Sequence, residues 1–404
     1  MTCRKLLLGL ALTCTLTAAA LAADWPGWRG PGRDGKSPDA TVLKEWPAEG
    51  PKLLWKNDAV GAGYASMAVV DGTTYTAGEV GGKLVLFALD AEGKEKWKQE
   101  VDGGWGQFPG SRSTPMVDGD RVYIVSAPGA IACFDAKTGE AKWQKKMADF
   151  GGKPAMWGYA ESVLILGKLA IVTPGGKNCV VALDKLTGEK VWASQGFDGA
   201  AHYCSAIAIT EGKSTAICVG TGGGLAFFDA ENGKLLGSNT FCAGNTANCP
   251  TPAYADGYVF WANGYGKGGV CMKVDVKDGQ WTITEAWKTK DMNCHHGGYV
   301  IKDGYIYGNN GNGWACLELK TGKTLWNDKG VGKGSVCLVD GELVLFSETA
   351  GKVGLAAASP DALKLTGQFS VKGKDKSWAH PIVVGGKMYI RYDTNLYCFD
   401  VAGK

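Results

Sequence analysis

The chain has 404 residues, with 45% hydrophobic and 21% charged residues, so a wholly disordered protein is excluded. Glycine is abundant, 61 residues, but shows no Gly-X-Y period, which excludes a collagen-like chain. The formal charge is +3 with no basic block, which gives no electrostatic case for nucleic acid as a partner.

In chain order, the first segment reads as an address. Arg4 and Lys5 precede an apolar stretch from Leu6 to Leu16, and Ala20-Leu21-Ala22 supplies small residues for cleavage. This predicts a signal peptide over residues 1–23 and an exported protein, periplasmic or secreted, whose mature chain holds no transmembrane segment. Cys14 lacks the small preceding residue of a lipidation site, so no lipid anchor is expected. Removal of the leader leaves eleven cysteines, an odd number. Cys133, Cys316 and Cys398 fall at one repeated slot where other repeats carry Ala, which implies a buried small-volume position.

Residues 24–50 form a turn-rich segment. Trp25-Pro26-Gly27-Trp28-Arg29-Gly30 leads it, and it is expected to act as a strap packed by its two Trp across the rest of the fold.

From residue 51 onward one phrase recurs: apolar, small, apolar, Asp, then a turn with Gly, then a strand ending in Trp. Good copies run through Asp90, Gly93 and Trp97, through Asp135, Gly139 and Trp143, and through Asp184, Gly188 and Trp192. Later copies carry Asp229, Asp275, Glu318 and Asp400 at the same slot, and a degenerate one lies around Ala357 to Gly367. A second phrase, Asp-Gly or a lone Gly before an aromatic strand, keeps the same beat at Gly72, Gly119, Gly167, Gly212, Gly257, Gly304, Gly341 and Gly386. Two phrases that each count eight predict an all-β, eight-bladed β-propeller of four-stranded antiparallel blades over residues 51–404. The final repeat lacks its Trp strand, and Lys52-Leu53-Leu54-Trp55 supplies one, so an N-terminal strand is expected to close the ring.

The Asp-x-x-Thr-Gly-x-x-x-Trp phrase, clearest at Asp135 to Trp143 and Asp184 to Trp192, resembles the quinoprotein-type (PQQ-like) propeller repeat. That family includes pyrroloquinoline quinone dehydrogenases and the outer-membrane assembly lipoprotein BamB. The resemblance implies fold more than function, since such Trp residues lock blades together in members that bind no cofactor. Trp55, Trp97, Trp143, Trp192 and Trp326 are accordingly expected at blade junctions.

The register also nominates a funnel. In propellers the first strand of each blade lines the axis. Eight residues before each turn Gly stand Tyr64, Ser111, Tyr159, Cys204, Cys249, His296, Lys333 and Trp378. Six before stand, among others, Glu161 and His380, on the same strand face. With Arg112 between slots and His202 nearby, the ligand-binding candidates are Tyr64, Arg112, Tyr159, Glu161, His202, Cys204, Cys249, His296, Lys333, Trp378 and His380. Soft ligands at Cys204, Cys249 and Cys294 beside His202, His295 and His296 can bind zinc or copper, but no Cys-x-x-Cys or His-x-x-x-His pair supplies two ligands locally, so no metal site is assigned from sequence. The expected function is a non-catalytic platform for an envelope protein or small-molecule ligand, with no cofactor. The alternative is an alcohol or sugar dehydrogenase using PQQ with calcium, with Glu161 or His380 as base.

Overall fold

A computed structural model describes residues 24–39, 41–374 and 376–403, so the leader and Cys14 lie outside the described residues. Eight four-stranded antiparallel sheets follow one another around a ring, each running from a first, inner strand to an outer one. The inner strands begin blades 1 to 8 at Ala68–Val70, Met116–Asp118, Leu164–Leu166, Ile207–Glu211, Ala253–Ala255, Tyr299–Lys302, Gly334–Val339 and Ile382–Val384. The ring closes as expected. Lys52–Asn57 is the outer strand of blade 8, paired with Asn395–Asp400 so that Lys52 faces Asp400 and Trp55 faces Cys398. Each sheet leaves no long inner edge open to solvent, which a closed ring achieves by construction.

Local sequence explains the strands. In blade 1 the third strand, Lys83–Leu89, is buried at every position but the first, because neighbouring blades cover both faces. Its outer strand, Glu95–Gly103, alternates exposed and half-buried residues over most of its length. The first hairpin of blade 1 turns on Asp71 and Gly72 at φ 48° and 70°, the left-handed geometry that a two-residue hairpin demands.

A recurrent Trp joins one blade to the next at six of the eight seams. The Trp97 indole N–H donates to Ala136 O at 3.1 Å, Trp143 to Lys185 O at 3.0 Å, Trp192 to Ala230 O at 3.1 Å and Trp326 to Ser359 O at 3.0 Å. Trp55 does the same across the closure, to Ala91 O at 2.9 Å. The turn Gly of the following blade lies flat on the ring: a Cβ on Gly139 would come within 2.7 Å of Trp97. The repeated Asp accepts backbone N–H groups of its own turn, as Asp135 does from Lys137 and Thr138. One copy departs from the expected register. In blade 5 the third strand runs Gly268–Lys277, so Asp275 sits within the strand and the turn falls on Asp278-Gly279. Its junction Trp is Trp287, bonded to Leu319 O at 2.9 Å.

The N-terminal segment fills the axis. Trp25 bridges Val69 of blade 1, and Pro26 O accepts the Val117 N–H of blade 2. Arg33 donates to Ser162 O and Val163 O of blade 3 at 2.8 and 2.9 Å. Arg29 donates to Tyr299 O of blade 6, and Lys36 bridges Leu338 of blade 7. Five blades are therefore tied together by one short stretch. Further along, Val42 and Trp46 join the core of blades 7 and 8, with Trp46 edge-on to Phe369 at 5.5 Å.

Candidate functional site

The segments that lead into the inner strands gather at one mouth of the ring. They enclose a cavity of about 270 Å³ whose walls include Trp28, Tyr64, Phe108, Trp157, Tyr203 and Trp378. Tyr64 and Trp378 lie with ring centroids 4.4 Å apart, and Phe108 stands 5.6 Å from Trp378. The floor is Trp28 from the strap, its indole N–H donating to Thr251 Oγ1 at 2.8 Å. Arg112 and Lys376 bring positive charge to the wall, and no Asp or Glu lines the described cavity.

Tyr64, Arg112, Cys249, His296 and Trp378 are brought together here, as the register expects. Arg112 spends its guanidinium on its own loop, donating to Gly110 O and Phe108 O at 2.8 and 2.9 Å, so it braces the wall that carries Phe108. His296 stacks on Trp378 at 4.3 Å and 26°. Burial holds its imidazole well below the usual pKa, and it brings that of His295 down to about 4, so both rings are neutral near pH 7.

The other candidates sit elsewhere. Tyr159 is buried in the blade 2–3 core, its hydroxyl donating to Pro174 O at 3.1 Å. Cys204 belongs to the core between blades 3 and 4. His202 accepts the Asn248 N–H at 3.2 Å and so props the segment that carries Cys249. Lys333 stands behind the wall, 2.8 Å from Glu348 and 3.1 Å from His295 Nδ1. Glu161 and His380 lie beneath the Trp28 floor. Glu161 accepts the Thr173 N–H at 2.6 Å, and desolvation raises its pKa to about 7 against the opposing pull of Arg33. His380 Nδ1 lies 3.2 Å from Arg29 Nη1, and burial with that guanidinium lowers its pKa to about 3. Counting inward by two residues therefore reaches a sealed layer, because the strap arginines occupy it.

Phe108, Trp157, Tyr203 and Lys376 were not among the sequence candidates, and His295 was named there only as a soft metal ligand. All five stand nine to eleven residues before their turn Gly, one step further out than the slots that were counted. The aromatic density of those segments was the available signal. Trp28 and Tyr265 come from the strap and from a hairpin loop, where no repeat register reaches.

The sequence profile of the family described as outer membrane protein assembly factor BamB matches residues 40–177 and 105–328. BamB of Burkholderia pseudomallei (strain K96243) is 27% identical over 196 residues, covering 46% of this chain and 48% of that protein. BamB of Kangiella koreensis is 26% identical over 136 residues, 32% of each chain. The chain thus spans about half, and about a third, of the length of these curated relatives. Among solved structures, BamB from Moraxella catarrhalis superposes with a TM-score of 0.61 at 15% identity, covering 83% of this chain and 94% of that one. Quinohemoprotein alcohol dehydrogenase ADHIIG from Pseudomonas putida HK5 gives 0.65 at 13% identity, covering 95% and 81%. Likeness at such identities speaks to fold alone. The profile match over most of the chain, with eight four-stranded blades in a ring, makes this protein a member of the PQQ-like propeller family described as outer membrane protein assembly factor BamB.

Proposed function

We propose that the chain is an exported, non-catalytic propeller that serves as a rigid binding platform, taking the side chains of an envelope protein or a small ligand into the mouth. One observation carries the reading: an aromatic cavity of about 270 Å³ opens on a ring whose axis is filled from within by Trp28, Arg29 and Arg33. Large, stiff aromatic side chains give apolar contact area at small entropic cost, and binding surfaces favour them for that reason. Similarity to proteins named as outer membrane assembly factors supports a platform role in the cell envelope. Among the described residues no helix is long and apolar enough to cross a membrane.

The dehydrogenase alternative meets a chemical obstacle. Calcium takes several oxygen ligands, chiefly carboxylates and carbonyls. No carboxylate lines the described mouth, and Glu161 and His380 are sealed beneath its floor. The residues present do not offer that ligand set.

Two measurements test the reading. Recovery of envelope proteins on wild type and on a Tyr64→Ala/Trp378→Ala variant is expected to differ, with the variant losing the partner. Equal recovery would place the binding surface elsewhere. Addition of PQQ and calcium is expected to leave the thermal midpoint unchanged, whereas a rise in midpoint with dye-linked alcohol oxidation would install the dehydrogenase reading instead.

A further inference from the structure

We propose that Cys249, His295 and His296 form a binding site for monovalent copper in the wall of the mouth. One ligand atom from each of the three lies within 4.8 Å of the other two. Donors around one ion at about 2.0–2.3 Å stand roughly 3.3–3.8 Å from each other, so side-chain rotations close the remaining gap. The trio spans two blades. Cys249 leads into the inner strand of blade 5, and both histidines lead into that of blade 6. No sequence motif announces it, since the ring supplies the proximity.

Three further observations point to a ligand. His296 Nδ1 has no solvent access and no hydrogen-bond partner, an unusual cost for a buried polar atom unless something else satisfies it. The two imidazoles are already gathered, with ring centroids 3.7 Å apart, and His296 is fixed by its stack on Trp378. Cys249 also differs from the other cysteines. All eleven described are free thiols, and Cys249 alone is not fully buried. The remaining ten occupy packed positions such as the 0%-exposed Cys133, Cys316 and Cys398, whose role is volume.

Ligand type and charge select the ion. One thiolate with two imidazoles is a soft set, which favours copper(I) over calcium or magnesium. Zinc on the same three protein donors would need a water as its fourth ligand, whereas copper(I) is satisfied by three soft donors in a largely aromatic wall. Charge decides in the same direction. The cavity wall carries Arg112 and Lys376 and no carboxylate, while Lys333 beside His295 is matched by Glu348. Copper(I) with one thiolate is electrically neutral, whereas zinc would leave a net positive centre among those cations. Binding is balanced by one proton: the Cys249 S–H bond breaks, a Cu–S bond forms, and the proton leaves to solvent, while His296 gives its unpartnered Nδ1 lone pair and His295 exchanges its hydrogen bond to Lys333 or to Tyr265 for the metal. The ion keeps its oxidation state.

The test uses the purified full-length protein under anaerobic, reducing conditions, titrated with copper(I) against a chromogenic copper(I) chelator. The expected result is one copper held per chain, with at least a ~100-fold loss of affinity in Cys249→Ser and in His296→Gln, since even outer-shell partners of metal ligands are worth 10–100-fold. Cys398→Ala, a distant thiol at a slot where other blades carry Ala, should bind as wild type does. X-ray absorption on the wild type, which does not depend on any variant folding, should show one sulfur and two nitrogen neighbours. Retention below about 0.1 equivalent, equal affinity in Cys249→Ser, a shell with two or more sulfurs, or tighter binding of zinc would each overturn the assignment. The platform reading is tested through partner recovery and stands or falls separately.

Discussion

The rim of the ring and its mouth are built from the same eight repeats by opposite rules. At the rim, Trp97, Trp143, Trp192 and Trp326 each give an indole N–H to a turn carbonyl of the next blade, and for the first three a Gly of that turn covers the ring. At the mouth, the four of the eight equivalent positions that line the cavity hold Tyr64, Cys249, His296 and Trp378, no two alike. Repetition marks positions whose task is the same in every blade. On the platform reading, divergence at matched positions suits a surface that faces something lacking the ring's symmetry.

That contrast can be broken or sharpened by experiment. The largest effect belongs to the rim. Trp192→Ala should destabilise the fold by ~3–5 kcal/mol in denaturant unfolding, because it opens a cavity between two blades and strands the Ala230 carbonyl. A loss under about 1 kcal/mol would show that the Trp does not lock the joint. Next comes the strap. Arg29→Met removes donors from the buried Tyr299 and Asp34 carbonyls, and ~2–4 kcal/mol should be lost, again by denaturant midpoint.

A third effect is pH-linked and comes from the sealed axial layer. Glu161 has a folded-state pKa raised to about 7, so the folded protein holds its proton longer than the unfolded chain does. Stability contributed by the neutral acid is present at low pH and lost as pH rises from about 4.5 through 7. His380 acts in the opposite sense. With its folded pKa near 3, the unfolded chain takes up the proton first, and stability is lost as pH falls from 6.5 towards 3. Glu161→Gln should therefore flatten the loss between pH 4.5 and 7, by ~3 kcal/mol at most, and leave the acid limb intact. An unchanged profile would mean that the carboxyl is solvated. The smallest stability effect is expected at the mouth itself, where Tyr64→Ala should change the unfolding midpoint by ~1 kcal/mol or less while removing partner binding.

How much of this could be read beforehand follows the same division. Blade number, strand order, ring closure by Leu53–Trp55 and most of the Trp joints were legible because turn glycines and the Asp…Gly…Trp phrase are local codes that recur from blade to blade. Blade 5 was mis-registered because its hairpin is longer and its turn uses Asp278-Gly279, so a nearby Asp275 mimicked the usual slot. The mouth was half legible. Register put Tyr64, Cys249, His296 and Trp378 on one circle, but could not foresee that Arg29 and Arg33 would fill the axis beneath them. Their insertion depends on carbonyls from blades 3 and 6, more than a hundred residues away in the chain. Cys249 and His295 stood in a wider group of soft ligands read from the sequence, but nothing local singled out that pair, since only ring geometry brings successive leading segments together.

On the platform reading, recognition takes place at the divergent mouth and not on the repeated rim. A photo-crosslinking residue placed at Phe108, 42% exposed beside the cavity, can be compared in cells with one at Leu186, 53% exposed on a rim turn of blade 3. Adducts of defined mass from position 108, absent from 186 and abolished by Trp378→Ala, are predicted. Adducts from position 186 alone, or from 108 undiminished by Trp378→Ala, would contradict it.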